Sequence, residues 1–230
     1  MYISKVEFDA VRLAQAGLYQ SGRYAEHQWL WQLFSDSPQR KRDFLYRQMK
    51  PSQESGANAP YFLVVSEREP EDRPFLRRLV VKPYAPQLSD GERLAFSLRC
   101  NPVITRTSAD GTHSRIDMVQ DERLRRKREG VPEADLPRRT ALAQDVVAPK
   151  WLEKHDFGLD IDADSLQVEA YDQFRFVHPK DGKLTLARMD LLGTGTVRDA
   201  QALRHALYKG VGRARGFGFG LLLVRRLNAT

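Results

Sequence analysis

The amino-acid sequence predicts an α+β protein that consists of two related units in tandem. Segments with strand-like alternation and segments with helix-like apolar stripes follow one another along the chain. A segment rich in proline and glycine, PYAPQLSDG at residues 83–91, divides them into two sets. The chain has 230 residues, and two domains of roughly 100 residues each are a common size. We therefore predict an N-terminal domain over 1–87 and a C-terminal domain over 92–230.

The first unit begins with a strand at 2–9, because polar and apolar side chains alternate there. The segment RYAEHQWLWQLFSD then has the spacing of a helix. Its apolar stripe consists of Trp29, Leu30, Leu33 and Phe34. The residues SDSP end this helix and offer a cap to a second short helix, predicted at 39–48. Two strands, at 61–67 and 75–81, complete the unit.

The second unit opens with an alternating strand at 92–101 and continues with a charged segment at 105–135. Residues 136–155 have helical spacing, with Pro149 as a predicted kink. The remaining elements are strands at 166–178 and 183–192 joined by a turn at 180–182, a helix at 196–208 and a closing strand at 219–226. The ending strand, strand, helix, strand matches half of a ferredoxin-like βαββαβ domain. We therefore predict two tandem ferredoxin-like (RRM-like) domains.

The charge of the chain favours a polyanionic partner. The formal net charge is +7 and the pI is about 9.6. The last acidic residue is Asp199, and six Lys or Arg follow it. A basic balance of this kind favours nucleic acid or an anionic surface as the partner.

Other functional classes are disfavoured by composition. The single cysteine, Cys100, excludes an intrachain disulfide, and no Cys/His cluster has zinc-ligand spacing, so we predict no metal site. The N-terminus MYISKVEFDA is charged and alternating, unlike a signal peptide. No apolar run approaches the roughly 18 residues of a membrane span. We expect a cytoplasmic protein without a membrane partner.

The segment GVGRARGFGFGLL at 210–222 is the most unusual stretch of the chain. Its spacing does not fit a dinucleotide-binding loop or a P-loop, and it precedes a strand instead of a helix. Two interpretations remain: a tight turn packed on a neighbour, or a loop whose backbone N–H groups bind phosphate. Two arginines within it and the lack of acids nearby favour phosphate binding. The candidate residues are Gly212, Arg213, Arg215, Gly216 and Gly218.

This glycine-rich pattern resembles the loop of the RAMP superfamily of CRISPR-associated proteins. The opening MYISKVEFD and the span HQWLWQLFSD are similar to one branch, the CasE family of the type I-E Cascade complex. The resemblance covers both ends of the chain, whereas residues 103–135 match only by charge. It implies an endoribonuclease that cleaves the repeat hairpin of the CRISPR transcript without a metal or cofactor. Attack by the ribose 2′-hydroxyl would leave 2′,3′-cyclic phosphate and 5′-hydroxyl ends, and the enzyme would remain on the crRNA beside other Cascade subunits.

The resemblance also assigns the catalytic residues. The family pattern Y-x-x-H stands here as Tyr24-Ala25-Glu26-His27, and this spacing places both rings on one helix face. An imidazole suits proton transfer near neutral pH, so His27 is predicted as the principal acid/base. Tyr24 would position the ribose or share the proton transfer. From the residues alone, a surface histidine and a packing tyrosine remain the alternative.

Two basic segments are candidates for holding the RNA stem. The first comprises Arg123, Arg125, Arg126, Lys127 and Arg128, which could equally be a solvated charged segment. The second is a predicted hairpin, and the resemblance implies that such a hairpin enters the stem groove. Its candidates are Arg175, His178, Lys180, Lys183 and Arg188. Alternative functions are a non-catalytic RNA-binding subunit of a CRISPR effector complex and a ribosome-associated basic protein.

Overall fold

The computed structural model describes residues 1–18, 23–34, 42–51, 59–107, 110–178 and 182–227. Two compact units make up the chain. One comprises Met1–Leu88 and Arg204–Leu221, and the other comprises Ser89–Leu203 and Leu222–Thr230. The glycine-rich loop therefore groups with the N-terminal residues, although the sequence placed it in the second range. The predicted domains, 1–87 and 92–230, stay a prediction.

The first unit contains a four-stranded antiparallel sheet with two helices. Its elements are β1 (Tyr2–Phe8), α1 (Ala10–Gln15), α2 (Arg23–Trp31), β2 (Phe44–Met49), β3 (Tyr61–Ser66) and β4 (Leu76–Pro83). The strand order is β2-β3-β1-β4, which is that of a ferredoxin-like sheet. Because β3 and β4 lie on opposite sides of β1, the charged segment between them crosses the end of β1 and does not form a hairpin.

The predicted helix at 39–48 is wrong where the structure describes it, because residues 44–49 form β2. This strand pairs along its whole length with β3. Phe44 and Tyr46 bury their rings in the unit's core, and each buried aromatic contributes about 1.5 to 3 kcal/mol. That gain outweighs the weak local preference for a helix. Residues 39–41 lie outside the described part of the chain.

The core of the first unit is aromatic. The Phe8 ring packs against Trp29, Phe62 and Phe75, with centroid separations of 5.7, 5.6 and 6.2 Å. Leu30, on the same helix as Trp29, is fully buried. This packing fixes α2 against the sheet and determines which of its faces reaches the candidate site.

The second unit contains a five-stranded sheet, a short hairpin and several helices. Its elements are β5 (Arg93–Cys100), β6 (Val103–Thr107), β7 (His113–Asp117), α3 (Met118–Arg128), α4 (Arg139–Leu142), α5 (Ala148–Glu153), β8 (Leu159–Ile161), β9 (Gln167–His178), β10 (Gly182–Val197), α6 (Ala200–Lys209) and β11 (Leu222–Arg226). The order is β11-β5-β10-β8, and β9 also pairs with β10. The helix α6 passes from the second unit into the first.

Two predicted helices differ from the observed ones. The helix predicted from 196 begins only at Ala200, because Thr196 and Val197 still pair with β8. The helix predicted over 136–155 is divided into α4 and α5 by a wider π-helical turn. Pro149 lies in the first turn of α5, where a missing N–H costs little.

Candidate active site

Helix α2 presents His27 beside a second aromatic residue, Trp31, one turn further along. The indole N–H of Trp31 donates a hydrogen bond of 2.7 Å to Nε2 of His27. The two rings meet edge to face at a centroid separation of 5.9 Å. Among the described residues, the buried Nδ1 of His27 has no hydrogen-bond partner.

Strand β2 forms the second wall of the site. The imidazole lies 5.9 Å from the Phe44 ring and 6.4 Å from the Tyr46 ring, nearly parallel to the latter. The Tyr46 hydroxyl donates to the carbonyl of Gly216 at 3.1 Å. One side chain of β2 therefore contacts both the imidazole and the glycine-rich loop.

The glycine-rich loop closes the site at Gly216. A Cβ atom built on Gly216 would lie 2.9 Å from Nη1 of Arg42 and 3.8 Å from Cε1 of His27. The absence of a side chain thus lets the loop backbone lie beside the guanidinium and the imidazole. Further along, Gly220 has φ +81°, and a Cβ there would meet the backbone carbonyl of Val211 at 2.7 Å. The two glycines serve different purposes: one admits Arg42, and the other allows the loop to fold.

The electrostatics keep the imidazole neutral. Burial lowers the pKa of His27 from 6.5 to about 4, and the positive charge of Arg42 adds to this effect. Burial also lowers the pKa of Arg42, as does the nearby Arg215, whereas Tyr46 acts in the opposite direction. Arg42 therefore places positive charge beside a neutral ring, and Arg215 adds positive charge next to Arg42. This environment suits a phosphate.

The predicted loop residues have distinct roles in the structure. Arg215 donates to the carbonyls of Gly212 and Lys209, at 3.0 and 2.6 Å, so it also fastens the loop to the end of α6. Arg213 is exposed, and Gly218 packs against the Tyr46 ring. The structure brings Gly216 beside His27, and Arg215 is close enough to Arg42 to lower its pKa. Phosphate binding by the five predicted loop residues stays a prediction.

The second predicted catalytic residue, Tyr24, belongs to α2, one turn before His27. Its side chain lies outside the described part of the structure. Its role in positioning the ribose or in proton transfer therefore stays a prediction.

The basic segment of α3 is largely paired with acidic side chains. Arg123 and Lys127 form ion pairs with Glu133, Arg125 pairs with Glu122 and Glu129, and Arg126 pairs with Glu122. The hydrogen bond from Arg125 is the main cause that lowers the pKa of the buried Glu122 to about 2. Arg128 is exposed. RNA binding by these five residues stays a prediction, and the ion pairs give four of them a structural role as well.

The predicted basic hairpin is formed by β9 and β10. Arg175 lies opposite Thr185 and is exposed. Arg188 forms an ion pair with Asp172 and lies 3.9 Å from a carboxylate oxygen of Asp190. His178 and Lys183 are strand residues whose side chains lie outside the described structure, and Lys180 lies outside it entirely. Of the described pair, Arg175 is the one presented to solvent.

Sequence reasoning did not identify Trp31, Arg42 and Tyr46 as residues of the site. Trp31 could have been found, because it stands four positions after His27 and therefore on the same helix face. Arg42 and Tyr46 could not have been found, because the sequence predicts a helix at 39–48. In the structure residues 44–49 form the strand β2, which places Tyr46 beside the imidazole, and Arg42 comes just before that strand.

In the part of the chain that the structure describes, no three His, Cys, Asp or Glu side chains converge as a metal-ligand set would. No helix within the same part of the chain combines the length and the apolar character that a membrane span requires.

The first sheet has the strand order of a ferredoxin-like domain, and in the second sheet β11, β5, β10 and β9 are neighbours in the corresponding order. The first unit also carries, on α2, a histidine that lies beside the glycine-rich loop. These features define a tandem ferredoxin-like protein. A family model described as "CRISPR associated protein" matches residues 1–226. The chain therefore belongs to this family of CRISPR-associated proteins.

One curated relative and two solved structures show the likeness in detail. The chain is 28% identical over 223 residues to the CRISPR system Cascade subunit CasE of Escherichia coli (strain K12), covering 96% of this chain and 98% of that protein. The structure of CRISPR endoribonuclease Cse3 bound to a 19-nucleotide RNA matches with a TM-score of 0.65 at 24% identity, over 98% of this chain and 100% of that one. The structure of Thermus thermophilus Cse3 bound to an RNA representing a pre-cleavage complex also matches with a TM-score of 0.65. Its sequence identity is 22%, over 97% of this chain and 98% of that one. The predicted tandem ferredoxin-like fold is confirmed.

Proposed function

We propose that this protein is a metal-independent endoribonuclease that cleaves CRISPR repeat hairpins and remains bound to the crRNA as a Cascade subunit in the cytoplasm. The observation that carries the proposal is the meeting of His27, Arg42 and Gly216 in one site. Full-length similarity to a Cascade subunit and to RNA-bound endoribonucleases supports the same class of activity.

The proposed chemistry is a transesterification within the RNA. The 2′-oxygen forms a bond to the adjacent phosphorus as the bond from phosphorus to the 5′-oxygen breaks. His27 takes the proton of the 2′-hydroxyl, and the imidazolium then supplies a proton to the leaving 5′-oxygen. The products are a 2′,3′-cyclic phosphate and a 5′-hydroxyl.

The neighbouring residues would assist the imidazole. Tyr24 would orient the attacking ribose or share the proton transfer. The guanidinium of Arg42, together with Arg215, would stabilise the charge that builds up on the phosphate oxygens. The exposed Arg175 and its hairpin neighbours would hold the stem through phosphates, since A-form RNA is recognised mainly by shape and backbone.

The test is a cleavage and binding comparison with a labelled repeat hairpin in EDTA. His27→Ala is expected to slow cleavage at least about 100-fold, the usual contribution of an acid/base group, and to leave hairpin affinity nearly unchanged. End-group analysis of the wild-type products should give the cyclic phosphate and the 5′-hydroxyl. His205→Ala is the matched control, because His205 is an exposed histidine on α6.

Three outcomes would contradict the proposal. Cleavage by His27→Ala at the wild-type rate would remove the assigned acid/base. Loss of wild-type cleavage in EDTA would remove metal independence. Tight binding without cleavage by the wild type would leave the alternative, a non-catalytic RNA-binding subunit.

A further inference from the structure

Neither ring nitrogen of His27 is open to a substrate in this structure. Nε2 accepts the hydrogen bond from Trp31 at 2.7 Å. Nδ1 is buried, without a partner among the described residues. In the proposed reaction the imidazole accepts a proton from RNA, but its Nε2 lone pair is already occupied by the Trp31 N–H.

The chemistry of indole determines the tautomer of the imidazole. An indole N–H can only donate, so the nitrogen that faces it must carry a lone pair. In the neutral ring the proton then lies on Nδ1. If the ring became doubly protonated, Nε2–H would face the N–H of Trp31, and two donors would oppose each other. The contact therefore stabilises the neutral ring, and it acts in the same direction as burial and Arg42, which lower the pKa of His27 to about 4.

We propose that Trp31 is a positioning residue for His27: its indole holds the ring as the Nδ1–H tautomer and occupies the Nε2 lone pair until bound RNA displaces it. The inference rests on the proposed function, since it concerns the same imidazole. The 2′-hydroxyl then replaces the indole at Nε2, and its proton passes to that nitrogen as the 2′-oxygen attacks phosphorus. The indole thus prevents the free protein from presenting an uncovered base.

The surroundings limit what else could control this ring. Among the described residues, Arg42 is the charged group that lowers the pKa of His27, and Arg215 acts in turn on Arg42. The Phe44 and Tyr46 rings pack against the imidazole. Trp31 itself packs edge to face on Phe44 at 5.2 Å. Replacement by phenylalanine would keep an aromatic ring in that packing and would remove the donor.

The first experiment needs no RNA. Nitrogen-15 NMR of His27 in the wild-type protein should show Nδ1 protonated and Nε2 unprotonated at neutral pH. In Trp31→Phe, the titration of His27 should move to higher pH, because the bond that favours the neutral ring is gone. The opposite tautomer in the wild type, or an unmoved titration in the variant, would overturn the inference.

The second experiment measures single-turnover cleavage at saturating RNA. Trp31→Phe is expected to cleave roughly two to ten times faster, the range that corresponds to one net hydrogen bond. A slower variant would overturn the inference. Trp29→Phe is the matched control. Trp29 lies on the same helix as Trp31, and its indole donates a hydrogen bond of 2.8 Å to the Leu18 carbonyl. Trp29→Phe should lose about as much stability as Trp31→Phe, without any change in the His27 titration.

The two experiments separate this inference from the proposed function. If the wild type binds the hairpin but never cleaves it, the proposed function fails, and the NMR result still decides whether Trp31 sets the tautomer. If Trp31→Phe does not fold, the NMR measurement of the His27 tautomer in the wild type still tests the inference. A proton on Nε2 instead of Nδ1 would refute it.

Discussion

At the scale of single residues, the main property of the site is that protonating the buried His27 imidazole is unfavourable, which lowers its pKa to about 4. His27 accepts a hydrogen bond from an indole N–H, and its burial beside the Phe44 and Tyr46 rings makes an added charge costly to desolvate. Both effects favour the neutral ring. Arg42 supplies the positive charge instead. Under the proposed function, His27 would carry the proton and the arginines would neutralise the phosphate, so that two different groups would perform these two tasks.

The depressed pKa of His27 predicts a particular pH dependence of stability. Between pH 6.5 and about 4 the unfolded chain binds a proton at this residue and the folded protein does not. Stability contributed by the neutral ring is therefore complete above pH 6.5 and is lost as the pH falls towards 4. After allowance for the partial exposure of the ring, the loss should be about 2 kcal/mol.

Urea unfolding of wild type and His27→Gln across this window measures the effect. The free energy of unfolding of the wild type, relative to the variant, should decrease as the pH falls. His205→Gln, which removes an exposed histidine on α6, is the matched control. A constant difference between wild type and His27→Gln would contradict the burial of a neutral ring.

At the scale of elements, the site depends on three segments that are far apart in the chain. The Tyr46 hydroxyl and the Gly216 carbonyl that it contacts are 170 positions apart. Helix α2 contributes the imidazole, β2 the aromatic wall, and the loop after α6 the closing backbone. A substitution in β2 or in the loop should therefore alter the surroundings of the imidazole through the contact that this element makes with it.

Two glycines of the loop allow a paired test of this arrangement. Gly216→Ala would place a methyl group 2.9 Å from the flexible end of Arg42, which can move. We expect little loss of stability and a roughly tenfold or larger fall in cleavage, because the guanidinium is displaced. Gly220→Ala combines a positive φ with a clash against a backbone carbonyl. It should lower stability by at least about 2 kcal/mol.

Thermal melts and single-turnover cleavage of the two variants distinguish the roles. If Gly216→Ala is as destabilising as Gly220→Ala, the loop is only a tight turn. If Gly216→Ala cleaves at the wild-type rate, Arg42 has no part in the reaction.

The element scale also shows where sequence reasoning succeeds. The position of His27 on a helix could be predicted, because the apolar stripe beside it is a local signal. Its catalytic role stays a prediction that the family resemblance supplies. The glycine-rich segment at 210–222 could be placed directly after a helix, and the structure ends α6 at Lys209. Strand β2 was mistaken for a helix because its pairing with β3 and the burial of Phe44 come from residues distant in sequence. Arg42 and Tyr46 were missed for the same physical reason.

At the scale of the whole molecule, the distribution of charge matters more than its total. The formal net charge is +7, but many basic side chains are paired with acids within the fold. Arg198, for example, forms ion pairs with Asp156 and Asp160. Arg175 on β9 is exposed and lies in the predicted RNA-binding hairpin. Charges separated by more than about 8 to 10 Å are largely screened at physiological salt. RNA affinity should therefore depend on local phosphate contacts.

A comparison of Arg175→Ala with Arg198→Ala tests this claim, because each variant lowers the net charge by the same amount. Each phosphate contact releases counterions, so the loss of one should reduce the slope of log affinity against log salt by about one. We expect this reduction, together with weaker hairpin binding, for Arg175→Ala. Arg198→Ala should leave the slope nearly unchanged, although it removes an identical charge. Equal slopes for the two variants would mean that RNA responds only to the overall positive field, and the hairpin would then lose its assigned role.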